Sequence, residues 1–333
     1  MTRTILTLNG GSSSVKFGVY ADADPLREIA AGEIEHGTAD TALFDRIGAV
    51  TPDAIGHRIV HGGTELFAPV VIDAGVIDRL RRASAFAPLH GPAALAMIAL
   101  AQARYPSVPQ VACFDTGFHA DMPDVARTLP IPAALRADGI RRYGFHGLSC
   151  ESIVAQLGDA LPDRLVIAHL GNGASVTAVR GGRSVDTSMG LTPSGGVVMG
   201  TRAGDIDPGL LLYLLRERRM DAAAIEAVID RESGLLGLSA VSADLRVLHG
   251  TDTAAARLAI RIFCRSVAKQ VAGMLVTLGG ADLIVFTGGI GENDAQVRGL
   301  IRADLAWAGT VPQRVLPSRE NRQIAWHAAR LLA

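Results

Sequence analysis

The sequence predicts an α/β protein built as two similar domains facing each other across a cleft. Three observations carry this expectation. A strand, a glycine-rich turn and a returning strand open each half of the chain: Ile5–Leu8, Asn9–Ser14 and Val15–Tyr20, then Leu165–Leu170, Gly171–Ser175 and Val176–Arg180. Within those turns, Asn9-Gly10-Gly11-Ser12 matches Asn172-Gly173-Ala174-Ser175 at an offset close to half the chain. The 333 residues suffice for about two domains of roughly 150 residues each. Asparagine and glycine are also common hairpin residues, so the turn overlay alone leaves coincidence open.

The remaining elements follow in order. Glu28–Glu35 reads as a third strand and Gly37–Val50 as a short, weakly patterned connection. Ala54–His61 alternates like a strand. Ala74–Ala85 and Gly91–Arg104 read as helices, and Gln110–Phe114 as a buried strand. In the second half, Gly181-Gly182 turns into the strand Arg183–Thr187, and the helices Pro208–Arg218 and Ala222–Ile229 follow. Asp252–Leu278 is a long helix with Ile260, Phe263, Val267, Val271, Met274 and Leu278 along one face. Asp282–Thr287 is a buried strand running into a third glycine-rich turn, Gly288–Asn293. No linker rich in proline and serine separates the halves.

Composition narrows the function. A hydrophobic fraction of 49% against 20% charged residues excludes a disordered chain. Lys+Arg 32 against Asp+Glu 33 leaves no basic footprint for nucleic acid. The apolar stretches Pro92–Ala101 and Leu210–Leu215 fall well short of the roughly 18 residues of a membrane span. The N-terminus has no separate apolar segment, and Cys113, Cys150 and Cys264 are odd in number and widely spaced. These features predict a reducing, cytoplasmic setting without structural zinc.

Three glycine turns after strands point to phosphate, because backbone N–H groups can approach it closely there. The familiar phosphate motifs are absent. Lys16 and Lys269, the only lysines, do not follow glycine, so there is no Walker A loop. Gly289-Ile290-Gly291 lacks the third small residue of the dinucleotide fingerprint. Ser13-Ser14-Val15-Lys16 matches the S-x-x-K of serine hydrolases, but no K-T-G accompanies it. Asp115-Thr116-Gly117 resembles an aspartic-protease triplet, but Asp186-Thr187-Ser188 does not complete a pair. His57 and His61 have zinc-like spacing with Arg58 in the glutamate position, on a strand rather than a helix.

Strand alternation puts Arg58 and Val60 on one face, an arrangement suited to the charged head and apolar tail of a small acid. The plainer reading is an arginine paired with a core carboxylate. His90, His119 and His146 sit in loops or at element ends, where a structural histidine is the default. Arg202 lies in a glycine-rich loop, where the default is an exposed salt bridge.

Together these segments resemble the acetate kinase family, within the superfamily of acetate and sugar kinases, heat-shock proteins and actin. NGGSSSVK, GHRIVHGG, APLHGP, FDTGFH, YGFHGLS, HLGNGASVTAV, DTSMGLTP, MGTRAGDIDP and FTGGIGEN occur in the family's order over most of the chain. The resemblance implies two ribonuclease H-like (actin-like ATPase) domains, 1–148 joined by a C-terminal helix 321–333, and 149–320. It implies transfer of the ATP γ-phosphoryl group to acetate, giving acetyl phosphate and ADP, with Mg²⁺ or Mn²⁺. A propionate or other short-chain acyl kinase, or a nucleotide binder without turnover, are the alternatives.

By the same resemblance, Asn9, Ser12, Ser14 and Lys16 form the first phosphate hairpin. Arg58 and Arg202 are the active-site arginines, and His146 and Asn172 contact the transferring phosphoryl group, with His169, Gly171 and Gly173 beside it. Asp115 and Glu320 are linked to catalysis and to the metal, which Asn9 also approaches. Val60, Leu89, Phe145 and Pro193 form the acyl pocket, and His90 lies nearby. Asp244, Leu245 and Arg246 lie beside the adenosine, with Gly289, Ile290, Gly291 and Asn293 beneath the adenine. A cytoplasmic homodimer is implied, with no nucleic-acid or membrane partner. The chain departs from the family in abbreviated segments at Gly37–Val50 and Trp307–Val315. It also departs at Gly195, where an acid is frequent, at Leu245, where an aromatic is frequent, and at Asn321, which interrupts an acidic pair.

Overall fold

The computed structural model describes residues 2–11, 14–35, 40–48, 50–88 and 90–333. It divides into two compact units, each with its own sheet. One unit comprises 1–120, 145–156 and 319–333; the other comprises 121–144 and 157–318.

The first unit holds β1 (Thr4–Gly10), β2 (Ser14–Ala21), β3 (Arg27–Glu35), β4 (Ala54–Ile59), β5 (Val70–Val71) and β6 (Gln110–Phe114), in the order β3-β2-β1-β4-β6-β5. β1 and β2, and β2 and β3, run antiparallel, whereas β1, β4 and β6 run parallel. The central strands β1, β4 and β6 are buried on both faces, as parallel strands commonly are, whereas β3 is largely exposed. Leu6, Leu8 and Ile55 point to one face, where they meet Phe17, Leu43, Phe44, Ala101 and Tyr105. Ile5, Ala54, Val111 and Cys113 point to the other, where the helix Glu320–Leu331 buries Ile324, Ala325, Ala328 and Ala329. Gly56 permits that approach: a Cβ there would lie 2.5 Å from Ile324 Cγ2.

The second unit holds β7 (Arg164–Leu170), β8 (Ala174–Arg180), β9 (Arg183–Thr187), β10 (Leu283–Thr287) and β11 (Gln313–Val315), in the order β11-β10-β7-β8-β9. Its antiparallel β7-β8-β9 and parallel β7-β10-β11 repeat the topology of β1-β2-β3 and β1-β4-β6. The helix Ala254–Leu278 packs against this sheet, and the six apolar residues expected from its periodicity are all buried. It begins at Thr253, whose side chain accepts from the Ala256 N–H, and ends at Gly279 in the left-handed region. Among the described residues, no helix is long and apolar enough to cross a membrane.

The structure corrects three local expectations. The connection after residue 37 contains a helix, Asp40–Ile47, because Leu43, Phe44 and Ile47 bury into the core. The segment Gly288–Asn293 is a short helix rather than a turn, entered through Gly288 at φ +77°, where a Cβ would lie 2.7 Å from the Leu170 carbonyl. The residue-by-residue overlay of the two hairpins also fails. Asn9 lies inside β1, paired with Lys16, whereas Asn172 stands exposed at the tip between β7 and β8. The duplication is one of topology, not of turn position.

Replacing Ile324 with alanine should cost about 2–5 kcal/mol in equilibrium urea unfolding, the range for a buried aliphatic truncation. A loss of about 0.5 kcal/mol, typical of surface sites, would show that the C-terminal helix contributes little to the core.

Candidate active site

The site residues of the first unit gather at the carboxyl ends of its parallel strands, where α/β sheets commonly bind ligands. Asn9 and Gly10 end β1, Arg58 lies near the end of β4, and Asp115 follows β6. Asn9, Arg58 and Asp115 lie on the sheet face covered by the C-terminal helix, whose first residue is Glu320. Arg58 Nε and Nη2 both donate to Asp115 Oδ2, at 2.9 and 2.6 Å. Arg58 Nη1 donates to the Gly10 carbonyl at 3.0 Å. Asn9 Nδ2 donates to Glu320 Oε2 at 2.9 Å, and its Oδ1 lies 3.5 Å from Arg58 Nη1. The side chains of Arg58 and Asp115 are only 12% and 1% exposed, so the pair is buried.

Electrostatics at this pair are opposed by burial. Burial works against the Arg58 charge, but Asp115 and Glu320 outweigh it and hold its pKa above the ordinary value. Burial pushes Asp115 up to about 6; Arg58 pulls the other way, and the Glu320 and Glu151 carboxylates add to the rise. Asp115 Oδ1 is buried and has no hydrogen-bond partner. The plainer reading of Arg58, a partner for a core carboxylate, is therefore correct as geometry. It does not compete with a ligand role, because the pair stands at the strand ends.

His146 sits beside this pair. The Gly147 N–H donates to the Asp115 carbonyl at 2.8 Å, and a Cβ at Gly147 would lie 2.3 Å from that oxygen. His146 itself is buried with φ +58°, a strained conformation for a non-glycine residue that is frequent at functional sites. Phe145 is buried next to it, 5.6 Å from the His61 ring. Val60 and His90 line one small cavity of about 10 Å³, room for about one water. His57 and His119 are structural. His57 Nε2 is 2.6 Å from Gln110 Oε1, His119 Nε2–H donates to the Phe145 carbonyl at 3.0 Å, and burial lowers each pKa to about 4. On the hairpin, Lys16 is exposed opposite Asn9, and the Ser14 hydroxyl donates to Glu33. Ser12 and Leu89 lie outside the described residues.

The second unit carries the other expected residues. His169 is buried in β7 next to Thr287 of β10. Gly171 N–H donates to the Gly173 carbonyl at 3.0 Å, closing the turn that presents Asn172. The Asn172 carbonyl accepts from Gly200 N–H at 3.1 Å, which joins this turn to the Arg202 loop. That loop is sewn to the start of the helix Gly234–Ser239. Leu235 and Leu236 N–H groups donate to the Met199 and Gly200 carbonyls, at 2.9 and 3.0 Å. Arg202 is half-buried, and its Nη1 donates to the Pro193 carbonyl at 3.2 Å. Gly289 and Asn293 are exposed, Ile290 is half-buried and Gly291 is buried, with Asn293 Nδ2 donating to the Gly289 carbonyl. Asp244 caps the helix Leu245–His249 and pairs with Arg246, while Leu245 is buried in its own unit.

Three carboxylates were not singled out in the sequence. Glu33 faces Lys16 across the β2–β3 pairing. Glu151, held by His327 Nε2 at 2.6 Å and Gln323 Nε2 at 3.1 Å, contributes to the field at Asp115. Asp230 accepts from Ser194 and Thr201. Only strand register could have exposed Glu33, and no local motif marks the other two.

A divalent cation fits the donors available. Among the described residues, no group of three or more His, Cys, Asp or Glu side chains gathers into a cage. Magnesium does not need one, since it keeps several waters and takes one or two protein oxygens plus phosphate. Glu320, Asn9 and the unpartnered Asp115 Oδ1 are oxygen donors of that kind.

Comparison with known proteins agrees with this architecture. A propionate kinase from Francisella tularensis superposes with a TM-score of 0.87 at 34% identity, covering 98% of this chain and 99% of that one. Acetate kinase from Porphyromonas gingivalis gives 0.85 at 31% identity, covering 99% and 100%. The two-sheet architecture is that of the actin-like ATPases. A sequence profile of the acetokinase family matches residues 47–322, and acetate kinase of Nitrobacter hamburgensis is 39% identical over 99% of this chain and 96% of its own length. The chain belongs to the acetokinase family.

The Asp115 shift has a defined sign. The folded protein keeps this proton up to about pH 6, whereas the unfolded chain releases it near its ordinary value of 3.8. Its favourable contribution is therefore full below about pH 4 and is lost as pH rises through about 6. The stability of the wild type relative to Asp115→Asn should fall by about 3 kcal/mol between about pH 4 and pH 7. Urea unfolding at each pH measures this; a constant difference would mean that Asp115 ionises normally.

Proposed function

We propose that this chain is an ATP-dependent acetate kinase that transfers the γ-phosphoryl group directly to acetate. The observation that carries the reading is Arg58, a buried cation fixed by Asp115 and the Gly10 carbonyl at the strand ends. Family membership supports it. Acetate is ionised at neutral pH and needs no general base. One carboxylate oxygen attacks the γ-phosphorus, the bond to the β–γ bridging oxygen breaks, and ADP leaves with that electron pair. The barrier is the approach of two anions, so catalysis consists of positioning and charge neutralisation.

In this reading Arg58 receives the carboxylate, and Val60, Leu89, Phe145 and Pro193 enclose its methyl group. Arg202, His146 and the Asn172 amide donate to the phosphoryl oxygens as charge shifts toward the leaving group. Asn9, Ser12, Ser14 and Lys16, with His169, Gly171 and Gly173, bind the ATP phosphates. Asp244, Leu245 and Arg246, with Gly289, Ile290, Gly291 and Asn293, bind the nucleoside. Asn9 and Glu320 would hold Mg²⁺, or Mn²⁺ in its place, which when bound neutralises phosphate charge. His90 supports the acyl pocket from the cavity it shares with Val60.

Propionate is the second substrate in this proposal, favoured by the similarity to the Francisella propionate kinase. A homodimer is proposed from the helix Pro208–Arg216 and its approach, where Ile206, Leu210, Leu212, Tyr213 and Leu215 are all exposed. A cytoplasmic location suits Cys113, Cys150 and Cys264, which are buried and form no disulfide.

Incubation with ATP, Mg²⁺, acetate and hydroxylamine should trap acetyl hydroxamate; nucleotide binding without trapped product would reduce the chain to a binder. Arg202→Ala should lower kcat by roughly 10³-fold or more, by analogy with other arginines that stabilise phosphoryl transfer. A tenfold loss or less would give Arg202 a structural role. Val60→Ala should raise the propionate-to-acetate ratio of kcat/KM, by the roughly 10–200-fold at most that one methylene can supply. An unchanged ratio would remove Val60 from the acyl pocket. Sedimentation equilibrium should give twice the 34.8 kDa chain mass, reduced to one chain by Leu212→Glu. A monomeric wild type would contradict the dimer.

A further inference from the structure

Asp230 fastens the Arg202 loop through two different groups. It is the last residue of the helix Ala222–Asp230. Its backbone carbonyl accepts from Thr201 Oγ at 2.8 Å, next to Arg202 in the chain. Its carboxylate accepts from Ser194 Oγ. Ser194 follows Pro193, whose carbonyl is the acceptor for Arg202 Nη1 at 3.2 Å. A second carboxylate holds the far end of the same turn: Asp205 Oδ1 accepts from Gly196 N–H at 2.7 Å, and its Oδ2 accepts from Gln270 at 3.1 Å. The loop itself is closed by Met199 N–H donating to the Arg202 carbonyl at 3.1 Å and by Ala203 N–H donating to Ile229 at 2.9 Å.

We propose that Asp230 is a positioning residue for Arg202, acting through Ser194 and the Pro193 carbonyl; this rests on the acetate kinase reading given above. The backbone bonds fix the Arg202 main chain without help from the Asp230 carboxylate. What the carboxylate adds is the orientation of the 193–196 turn, and with it one of the acceptors of the guanidinium, beside Met199 Sδ at 3.8 Å. Without it the Ser194 hydroxyl turns to water and the Pro193 carbonyl is no longer held in register. A misplacement of about 1 Å at a reacting group can cost on the order of 100-fold in rate. The effect falls on acetate turnover rather than on nucleotide affinity, because the tethered groups are Pro193 and Arg202 and not the nucleoside-binding segments.

The experiment compares Asp230→Ala, Asp230→Asn, Ser194→Ala and the double alanine variant in the hydroxylamine assay, with thermal unfolding recorded for each. Asp230→Ala should lower kcat/KM for acetate by about tenfold to 100-fold and leave KM for ATP within about twofold. Asp230→Asn, which keeps an acceptor oxygen for Ser194, should restore most of the activity. Ser194→Ala should reproduce the alanine loss, and the double variant should fall no further. If Asp230→Ala does not fold, the Ser194→Ala exchange decides the matter, since it removes only the donor. Wild-type activity in either alanine variant, multiplied losses in the double variant, or an asparagine variant as poor as the alanine one would overturn the proposal. A wild type that traps no product would sink the acetate kinase reading instead.

Discussion

The account depends on keeping a guanidinium charged and still inside the protein. Burying a lone charge is costly, and a partner that neutralises it fully would leave nothing for a substrate. Arg58 meets both conditions. Nε and Nη2 go to a single Asp115 oxygen, and Nη1 goes to a backbone carbonyl. Asp115 itself resists ionisation because of burial and the nearby Glu320 and Glu151. The pair therefore holds a buried cation at the strand ends while burial opposes the charge on both partners.

Topology sets where this pair stands. The antiparallel hairpin and the parallel strands beside it recur in both units, and in both the chain leaves the carboxyl ends of the central strands at the residues singled out for chemistry. In the first unit these are Asn9, Arg58 and Asp115. In the second they are His169, the Asn172 turn and Gly288. The C-terminal helix closes the first unit and brings Glu320 to Asn9, across nearly the whole length of the chain. Its alanines and Gly56 make that approach close enough.

Much of this was readable from the amino-acid order. The strands were marked by apolar runs between glycine turns, and the helix Ala254–Leu278 by its six-residue apolar face. Arg58 stood out through strand alternation, whereas Val60, expected on the same face, lies one residue past the end of β4. The parts that were not readable share a cause, namely contacts distant in sequence. Among the described side chains of helix Asp40–Ile47, the buried anchors are Leu43, Phe44 and Ile47, too few for a periodic signal. The Gly288–Asn293 segment looks like a loop because Gly288 and Gly291, which sit close against Leu170, are indistinguishable in sequence from turn glycines. Glu151 and Asp230 matter through partners 176 and 36 residues away, His327 and Ser194, and no local pattern encodes such pairs. The overlay of Asn9 on Asn172 found a true duplication by aligning residues that are not equivalent.

The most direct test of the central claim is a double-mutant cycle on kcat with Arg58→Ala, Asp115→Asn and both together. If Asp115 acts by holding Arg58, the two changes are coupled, and the double variant is no slower than Arg58→Ala alone. If the two losses multiply, Asp115 works independently of Arg58, and a cation held by Asp115 is not what the site is built around.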